Sequence, residues 1–267
     1  MPAPHSIAMA GKGGVGKTTL AALIVEWLVA RGAAPVLAVD ADSNANLHEA
    51  LGVTYTATVG GIRESARSEI PGKQGMAKQE FLDLRVQEAL VEHTGFDLVV
   101  MGRPEGQGCY CFANSVLRGV LDRLSKQYKH IVVDSEAGLE HISRRTLLSL
   151  DYLLIVSDAS VRGVRTARRV SELADEVSLG AKRRGLIINR APNGELTPAL
   201  LEEVAATGLP LLAVIPLDPA VAAMDAGGMN VKDIPAGAPV RRIVYALLEK
   251  LFSKETNSCQ PFPKPLP

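Results

Sequence analysis

A glycine-rich segment close to the start of the chain restricts the possible folds more than any other feature. It directly follows an apolar run and opens a stretch with apolar residues at helical spacing. It satisfies the pattern Gly-x-x-x-x-Gly-Lys-Ser/Thr, in which glycines let the backbone curl until its N–H groups converge on phosphate oxygens. The positive end of the following helix adds to the attraction for the same anion. The nine residues are Gly11, Lys12, Gly13, Gly14, Val15, Gly16, Lys17, Thr18 and Thr19.

Two side chains of this segment carry specific chemistry. We expect Lys17 to bridge the terminal phosphates of a nucleotide and the Thr18 hydroxyl to ligate magnesium, with the whole segment as the phosphate cradle. The alternative is a glycine-rich turn without a ligand. The strand before the segment and the helix after it count against that alternative.

The rest of the chain alternates short apolar runs with helical patterns, which predicts an α/β fold with a doubly wound, mostly parallel sheet. The strands are rich in Val, Ile and Leu without alternation, as strands covered on both faces should be. We predict one domain over residues 1–252 and a proline-rich disordered tail over 253–267. The candidate strands are Ser6–Met9, Val36–Val39, Asp97–Met101, Ile131–Val133, Tyr152–Val156, Leu186–Ile188 and Leu211–Ile215.

Two further helices are predicted by spacing. Leu82, Val86, Ala89 and Leu90 mark one of them, and the other is the last helix, at about Val240–Phe252. The second could either lie on a membrane surface or close the flank of the sheet, and the latter is the commoner role of such a helix.

Composition excludes several classes of protein. Lysine plus arginine and aspartate plus glutamate both number 29, so global basicity gives no support to nucleic-acid binding. Three cysteines are too few for a disulfide scaffold, and no apolar run reaches the roughly 18 residues of a membrane span. The first residues do not read as a secretory signal. We therefore expect a cytoplasmic protein that binds neither nucleic acid nor membrane.

Acidic residues follow two of the predicted strands, at the edge of the sheet where ligands of open parallel sheets bind. Asp40 and Asp42 end the second strand, and Asp134 ends the run Ile131–Val133 as a Walker B carboxylate would. We expect Asp134 to hold magnesium through water, and the Gly138 N–H in the following loop to meet a γ-phosphate. Taken singly, each aspartate could instead be a helix cap or a turn residue.

The nucleotide base is predicted from a missing motif. A guanine-specific site offers Asn-Lys-x-Asp after a strand, whereas Leu186–Ile188 runs into Asn189, Arg190, Ala191 and Pro192. No aspartate is available there to read guanine, so adenine is favoured.

Cys109 and Cys111 form a C-x-C pair before a predicted helix. Residues two apart in extended chain lie about 6.6 Å apart with their side chains on one side, which suits two thiolates on one soft metal ion. A closed zinc or iron–sulfur site needs four ligands, and Cys259 in the proline-rich tail is a poor third. A two-fold dimer would supply the missing pair. The alternative is a pair of small buried thiols.

Lys12 points to a family, because Lys17 already serves the phosphates of the same loop. The loop resembles the deviant P-loop of the MinD/ParA/nitrogenase-iron-protein superfamily. With GKGGVGKTT, the segments DADSNANL, GRPEGQGCYCFAN and VVDSEAGLEHISRRT make the chain similar to the CooC-type nickel-insertion ATPases of carbon monoxide dehydrogenase. The likeness spans roughly Ser6 to Phe252.

The resemblance implies an ATP-dependent homodimer whose paired cysteines meet at the interface, bind nickel or zinc, and help to place nickel in carbon monoxide dehydrogenase. It implies that Lys12 crosses the interface to the partner's nucleotide. It further implies that Asp42 orients or activates the attacking water, that Asp40 lies near magnesium, and that Asn189 contacts adenine.

Three other functions remain open at this point. One is a related nickel maturation factor for acetyl-CoA synthase. Another is a reductase like the nitrogenase iron protein. Such a protein would need a second cysteine just after the loop that contains Gly138, where this chain has Leu139, Glu140, His141 and Ile142. The last is a positioning ATPase of the MinD or ParA type that binds membrane or DNA.

Overall fold

An eight-stranded sheet organises the protein in the computed structural model, which describes residues 5–61, 87–102, 127–135, 150–177 and 179–253. The order across the sheet is β3-β4-β2-β5-β1-β6-β7-β8, and every neighbouring pair is parallel except β3 with β4. This confirms the predicted doubly wound, mostly parallel fold. The strands are β1 His5–Gly11, β2 Val36–Ala41, β3 Leu90–His93, β4 Phe96–Val100, β5 His130–Ser135, β6 Leu150–Asp158, β7 Ala181–Ala191 and β8 Leu211–Pro216.

Helices cover both faces of the sheet. The described residues contain α1 Lys17–Ala30, α2 Leu47–Leu51, α3 Val161–Glu176, α4 Pro198–Ala206, α5 Pro219–Gly227 and α6 Pro239–Ser253. One buried apolar cluster joins α1, α2, α5 and α6 to one face, and a second joins α3 and α4 to the other. Because both faces are covered, β2 is buried at every position.

All seven predicted strands are confirmed, with their ends moved by a few residues. The helix predicted to run to Leu90 ends earlier: residues 87 and 88 are helical, whereas Leu90 begins the short strand β3, which pairs antiparallel with β4. Leu82 and Val86, assigned to the same helix, lie outside the described residues. The last helix is confirmed and ends at Ser253, one residue into the predicted tail.

The last helix, α6, closes the flank of the sheet. Its buried side chains include Val244, Leu248 and Leu251, which join the cluster shared with α1. Arg241, also buried, donates from Nη1 to Glu26 of α1 at 2.7 Å and from Nη2 to the carbonyl of Val231 at 2.6 Å. The apolar side of this helix is therefore used inside the protein. No helix within the described ranges is long and apolar enough to cross a membrane.

Register brings the ends of the central strands to one level. Asp134 of β5 is the register partner of Met9 of β1 and of Asp40 of β2. On its other side β1 pairs with β6. Strands β2 to β5 therefore lie on one side of β1 and strands β6 to β8 on the other, so the loop after β1 leaves the sheet where the strand order changes direction. Such a switch point is where open α/β sheets bind ligands.

Candidate functional site

The loop between β1 and α1 is shaped by glycines in left-handed conformations. Gly11, Gly14 and Gly16 have φ angles of 140°, 77° and 93°. A Cβ atom on Gly11 would lie 2.1 Å from the carbonyl oxygen of Val156 on the adjacent strand, so no other residue fits there. Gly16 is the N-cap of α1. The sequence therefore forms the curled loop that a phosphate needs, with a helix N-terminus behind it.

Lys17 is enclosed by the loop that precedes it. Its side chain is buried, and Nζ donates to the carbonyl oxygens of Gly11 at 3.1 Å and Lys12 at 3.2 Å. Lys12, Gly13 and Gly14 are exposed, whereas Val15 is buried and Thr18 and Thr19 are half-buried. One lysine thus lies inside the loop and the other faces solvent.

Asp134 and Thr18 meet beside this loop. The Thr18 hydroxyl donates to Oδ2 of Asp134 at 2.5 Å, and Asp134 is buried at the end of β5. Burial raises the pKa of Asp134 to about 6, against the lowering effects of the Thr18 bond and the Lys17 charge. Its second oxygen, Oδ1, is buried without a hydrogen-bond partner among the described residues.

Asp40, at the end of the adjacent strand, has both carboxylate oxygens bonded. Oδ1 accepts the N–H of Asp42 at 3.1 Å, and Oδ2 accepts the N–H of Leu47 at 2.8 Å. Burial raises the pKa of Asp40 to about 7, and the nearby charges of Asp134 and Asp42 add to that rise. Asp42 is half-buried, and its Oδ1 accepts the N–H of Asn44 at 2.8 Å.

The donor set beside Lys17 fits a magnesium ion. Magnesium prefers hard oxygen ligands and commonly takes one carboxylate together with substrate phosphates. Thr18 Oγ1 and the two oxygens of Asp134 are such atoms, and the unpartnered Oδ1 is a buried acceptor that a cation or its bound water would satisfy. Asp40 lies at the same level, but backbone N–H groups already occupy its oxygens.

A cavity of about 550 Å³ lies beside the loop and is bounded by the ends of β7 and β8. Its size is typical of small-molecule and cofactor sites. Leu217 at its wall is 64% exposed, and Asp218 is buried, with its carboxylate bonded to the N–H groups of Ala220 and Val240. The lining residues include Gly16, Thr19, Leu20, Asn189, Arg190, Pro216, Leu217, Asp218, Val221 and Asp225.

Asn189 lies where this cavity meets the loop. Its amide Nδ2 donates to the carbonyl of Val15 at 2.8 Å, and Arg190 Nη1 donates to the carbonyl of Gly14 at 2.9 Å. The structure thus brings Asn189 together with the loop residues, and it adds Arg190 and Asp218, which the sequence motifs do not mark as site residues. Their signal in the sequence was only their position just after predicted strands.

Three predicted site residues, Cys109, Cys111 and Gly138, lie outside the described residues. Within the described ranges, no group of three or more His, Cys, Asp or Glu side chains is arranged to hold a metal ion.

Comparisons with known proteins show a nucleotide-binding family. The model of the CobQ/CobB/MinD/ParA nucleotide binding domain matches residues 6–231. An uncharacterised ATP-binding protein of Methanocaldococcus jannaschii is 40% identical over 93% of this chain and 99% of its own length. The carbon monoxide dehydrogenase accessory protein CooC of Rhodospirillum rubrum is 32% identical over 92% of this chain and 97% of its own.

Among solved structures, MinD of Pyrococcus horikoshii in complex with Mg-ADP is similar in fold, with a TM-score of 0.69 and 22% identity. The match covers 93% of this chain and 96% of that one.

Proposed function

This chain belongs to the CobQ/CobB/MinD/ParA nucleotide-binding family and is an ATPase, and on that premise we propose that it uses ATP to assist nickel insertion into carbon monoxide dehydrogenase. One observation carries the proposal: the relative named as an accessory protein of that enzyme matches nearly end to end, at 32% identity. The C-x-C pair at Cys109 and Cys111 gives the chain thiolates suited to a soft metal cargo.

In the proposed nucleotide site, the loop Gly11–Thr19 cradles the phosphates of ATP. The Lys17 ammonium, now bonded to two loop carbonyls, exchanges them for the terminal phosphate oxygens. Thr18 and Asp134 would hold magnesium, which when bound would neutralise negative charge on the phosphates. Asp42 is half-buried beside Asp40 and has an oxygen available to orient the attacking water. The adenosine occupies the cavity bounded by Asn189 and Leu217.

The proposed active form is a homodimer that closes on ATP. Lys12 is exposed at the tip of the loop, free to reach the nucleotide of a facing copy. A ligand shifts an equilibrium only through contacts that differ between the two states. The γ-phosphate supplies such contacts, to Lys12 of the partner and to Gly138, so ATP favours the closed dimer and hydrolysis reopens it.

The nickel ion is cargo in this proposal. The Cys109 and Cys111 pairs of the two copies supply four thiolates, and closure of the dimer changes the spacing between the pairs. Thiolates also suit zinc, so affinity alone does not select nickel. Selection then depends on the geometry of the closed dimer and on the client enzyme.

The position of α6 argues against its use as the membrane anchor that a MinD-type alternative would need. A membrane anchor needs an apolar face directed outward, whereas Leu248 and Leu251 of α6 are buried against the protein and Arg241 is bonded internally. The apolar face of α6 is therefore not available as a membrane anchor.

Metal titration followed by sizing tests the proposal. With ATP and nickel, the wild type is expected to form dimers that hold about one metal ion each, because four thiolates close one site. The double variant Cys109→Ser, Cys111→Ser should keep ATP binding and lose that metal. Cys259→Ser is the matched control, a third thiol whose removal should leave the stoichiometry unchanged.

Other outcomes would contradict the proposal. A monomer in the presence of both ATP and nickel would remove the shared site, and unchanged metal content in the double variant would remove the thiolate ligands. A brown protein with about four irons per dimer would instead identify a reductase with an iron–sulfur cluster.

A further inference from the structure

Two consecutive residues at the end of β7 hold two consecutive carbonyls of the phosphate loop. Asn189 Nδ2 donates to the Val15 oxygen at 2.8 Å, and Arg190 Nη1 donates to the Gly14 oxygen at 2.9 Å. Asn189 is 8% exposed and is itself fixed by its place on β7, where it pairs in register with Asp158 of β6. The sheet therefore reaches the loop through two side chains besides the strand that leads into it.

Holding a carbonyl also fixes the N–H group on the other side of the same peptide. A trans peptide is planar, and its C=O and N–H bonds point in opposite directions. The Gly14 carbonyl shares a peptide with the Val15 N–H, and the Val15 carbonyl shares one with the Gly16 N–H. The bonds from Arg190 and Asn189 thus set the directions of two successive N–H donors in the segment that has to receive phosphates.

Arg190 adopts an unfavourable backbone conformation where it makes this contact. Its φ angle is 57°, in the left-handed region that is unfavourable for a non-glycine residue. The Asn189 side chain stabilises this turn, because its Oδ1 accepts the N–H of Arg190 at 3.0 Å. The turn directs the Arg190 side chain back along the loop, to Gly14.

We propose that Arg190 is a positioning residue of the phosphate loop, which acts with Asn189 to hold the Val15 and Gly16 N–H groups in the orientation that binds phosphate. The inference rests on the proposed placement of the nucleotide at this loop. In this proposal Arg190 affects phosphate binding only through main-chain carbonyls, and it does not contact the adenosine part of the nucleotide.

The experiment compares adenosine, which has no phosphate, with ADP. In Arg190→Gly the strained backbone becomes permissive while the bond to Gly14 is lost, so folding should not suffer. We expect the ratio of the ADP to the adenosine dissociation constant to rise about tenfold or more, the size expected for loss of a charge-assisted hydrogen bond. Calorimetry gives the ADP value, and ligand-observed NMR gives the adenosine value.

Two further variants sharpen the test. Arg190→Lys keeps a cationic donor near Gly14 and should restore part of the ADP affinity. Arg169→Ala is the matched control, since Arg169 is exposed on α3 and makes no hydrogen bond or ion pair within the described part of the chain. It should leave both dissociation constants unchanged.

An unchanged ratio in Arg190→Gly would overturn the inference. Equal weakening of adenosine and ADP would also overturn it, because Arg190 would then contact the base or ribose directly. Lys17→Ala separates these results from failure of the nucleotide site itself. If the wild type bound ADP no better than Lys17→Ala does, the loop would not be the phosphate site and the proposed function would fall first.

Discussion

The ends of β2 and β5 lie side by side, yet their aspartates are bonded in different ways. Asp40 and Asp134 are register partners, and burial raises the pKa of each carboxyl above its usual value. Both oxygens of Asp40 accept backbone N–H groups, from Asp42 and Leu47. Asp134 accepts one hydroxyl, from Thr18, and keeps a buried oxygen without a partner in the described structure.

The difference indicates two roles for the same residue type. Asp40 ties the segment after β2 to the sheet, so that Asp42 is held in place two residues later. Asp134 has one buried oxygen, Oδ1, without a partner among the described residues, and a magnesium ion beside it would compensate the carboxylate charge. The carboxylate whose bonds are complete is thus the weaker candidate for a metal ligand, and its neighbour with an unpartnered oxygen is the stronger one.

Replacing Asp134 should produce the largest effect. Asp134→Asn keeps an oxygen for the Thr18 hydroxyl but removes the charge that would hold magnesium. We expect kcat for ATP hydrolysis to fall by about a hundredfold or more, because the metal contributes several kcal/mol of charge stabilisation. Steady-state phosphate release at saturating magnesium measures it. Near-normal hydrolysis would mean that Asp134 has no part in metal binding.

Replacing Asp40 should mainly affect folding. Asp40→Asn puts an NH₂ group against one of the two backbone N–H donors, so one hydrogen bond is lost and a buried donor is left without an acceptor. We expect the free energy of unfolding to fall by about 1–2 kcal/mol, while the magnesium concentration for half-maximal hydrolysis changes little. Urea denaturation and a magnesium titration give the two values. A strong shift in the magnesium requirement would erase the contrast with Asp134.

The same two carboxyls should also make stability depend on pH. Both carboxyls bind protons more tightly in the folded than in the unfolded state, with pKa values of about 7 for Asp40 and about 6 for Asp134. Their contribution to stability is therefore complete below the unfolded pKa of 3.8 and is lost as pH rises through 6 to 7.

Magnesium with ADP should reverse this trend, since a cation favours the ionised carboxylate of Asp134. Stabilisation by Mg-ADP should thus grow between pH 5 and pH 8, as measured by denaturation at each pH, and Asp134→Asn should flatten that growth. Equal stabilisation at both ends would argue against a titrating carboxyl at the metal.

The sequence predicted the central strands because their apolar runs are long and bounded by turn residues. It did not predict β3, since Leu90 continues the helical spacing of Leu82 and Val86. Only Thr94 and Gly95, between Leu90–His93 and Phe96–Val100, signal the hairpin, and Gly95 has the positive φ of 91° that such a tight connection needs. A short edge strand is defined by its partner more than by its own residues.

In the site, the motif located Lys17, Thr18 and Asp134 because each contributes its own side-chain chemistry. The sequence could not show that Asp40 is fully bonded to backbone N–H groups, because that depends on how the segment up to Leu47 folds back. Nor could it show that Asn189 and Arg190 contact the loop, since those contacts depend on register between strands far apart in the chain.

The bonds from Asn189 and Arg190 end on carbonyl oxygens, which every amino acid possesses. The restraint therefore places no demand on the side chain at position 15, and at position 14 the φ angle of 77° is what favours glycine. A change of side chain at position 15 would leave these two bonds in place, provided that the asparagine–arginine pair more than 170 residues later is retained. Burial of Val15 and the positive φ angles of Gly14 and Gly16 are separate restrictions on the loop sequence.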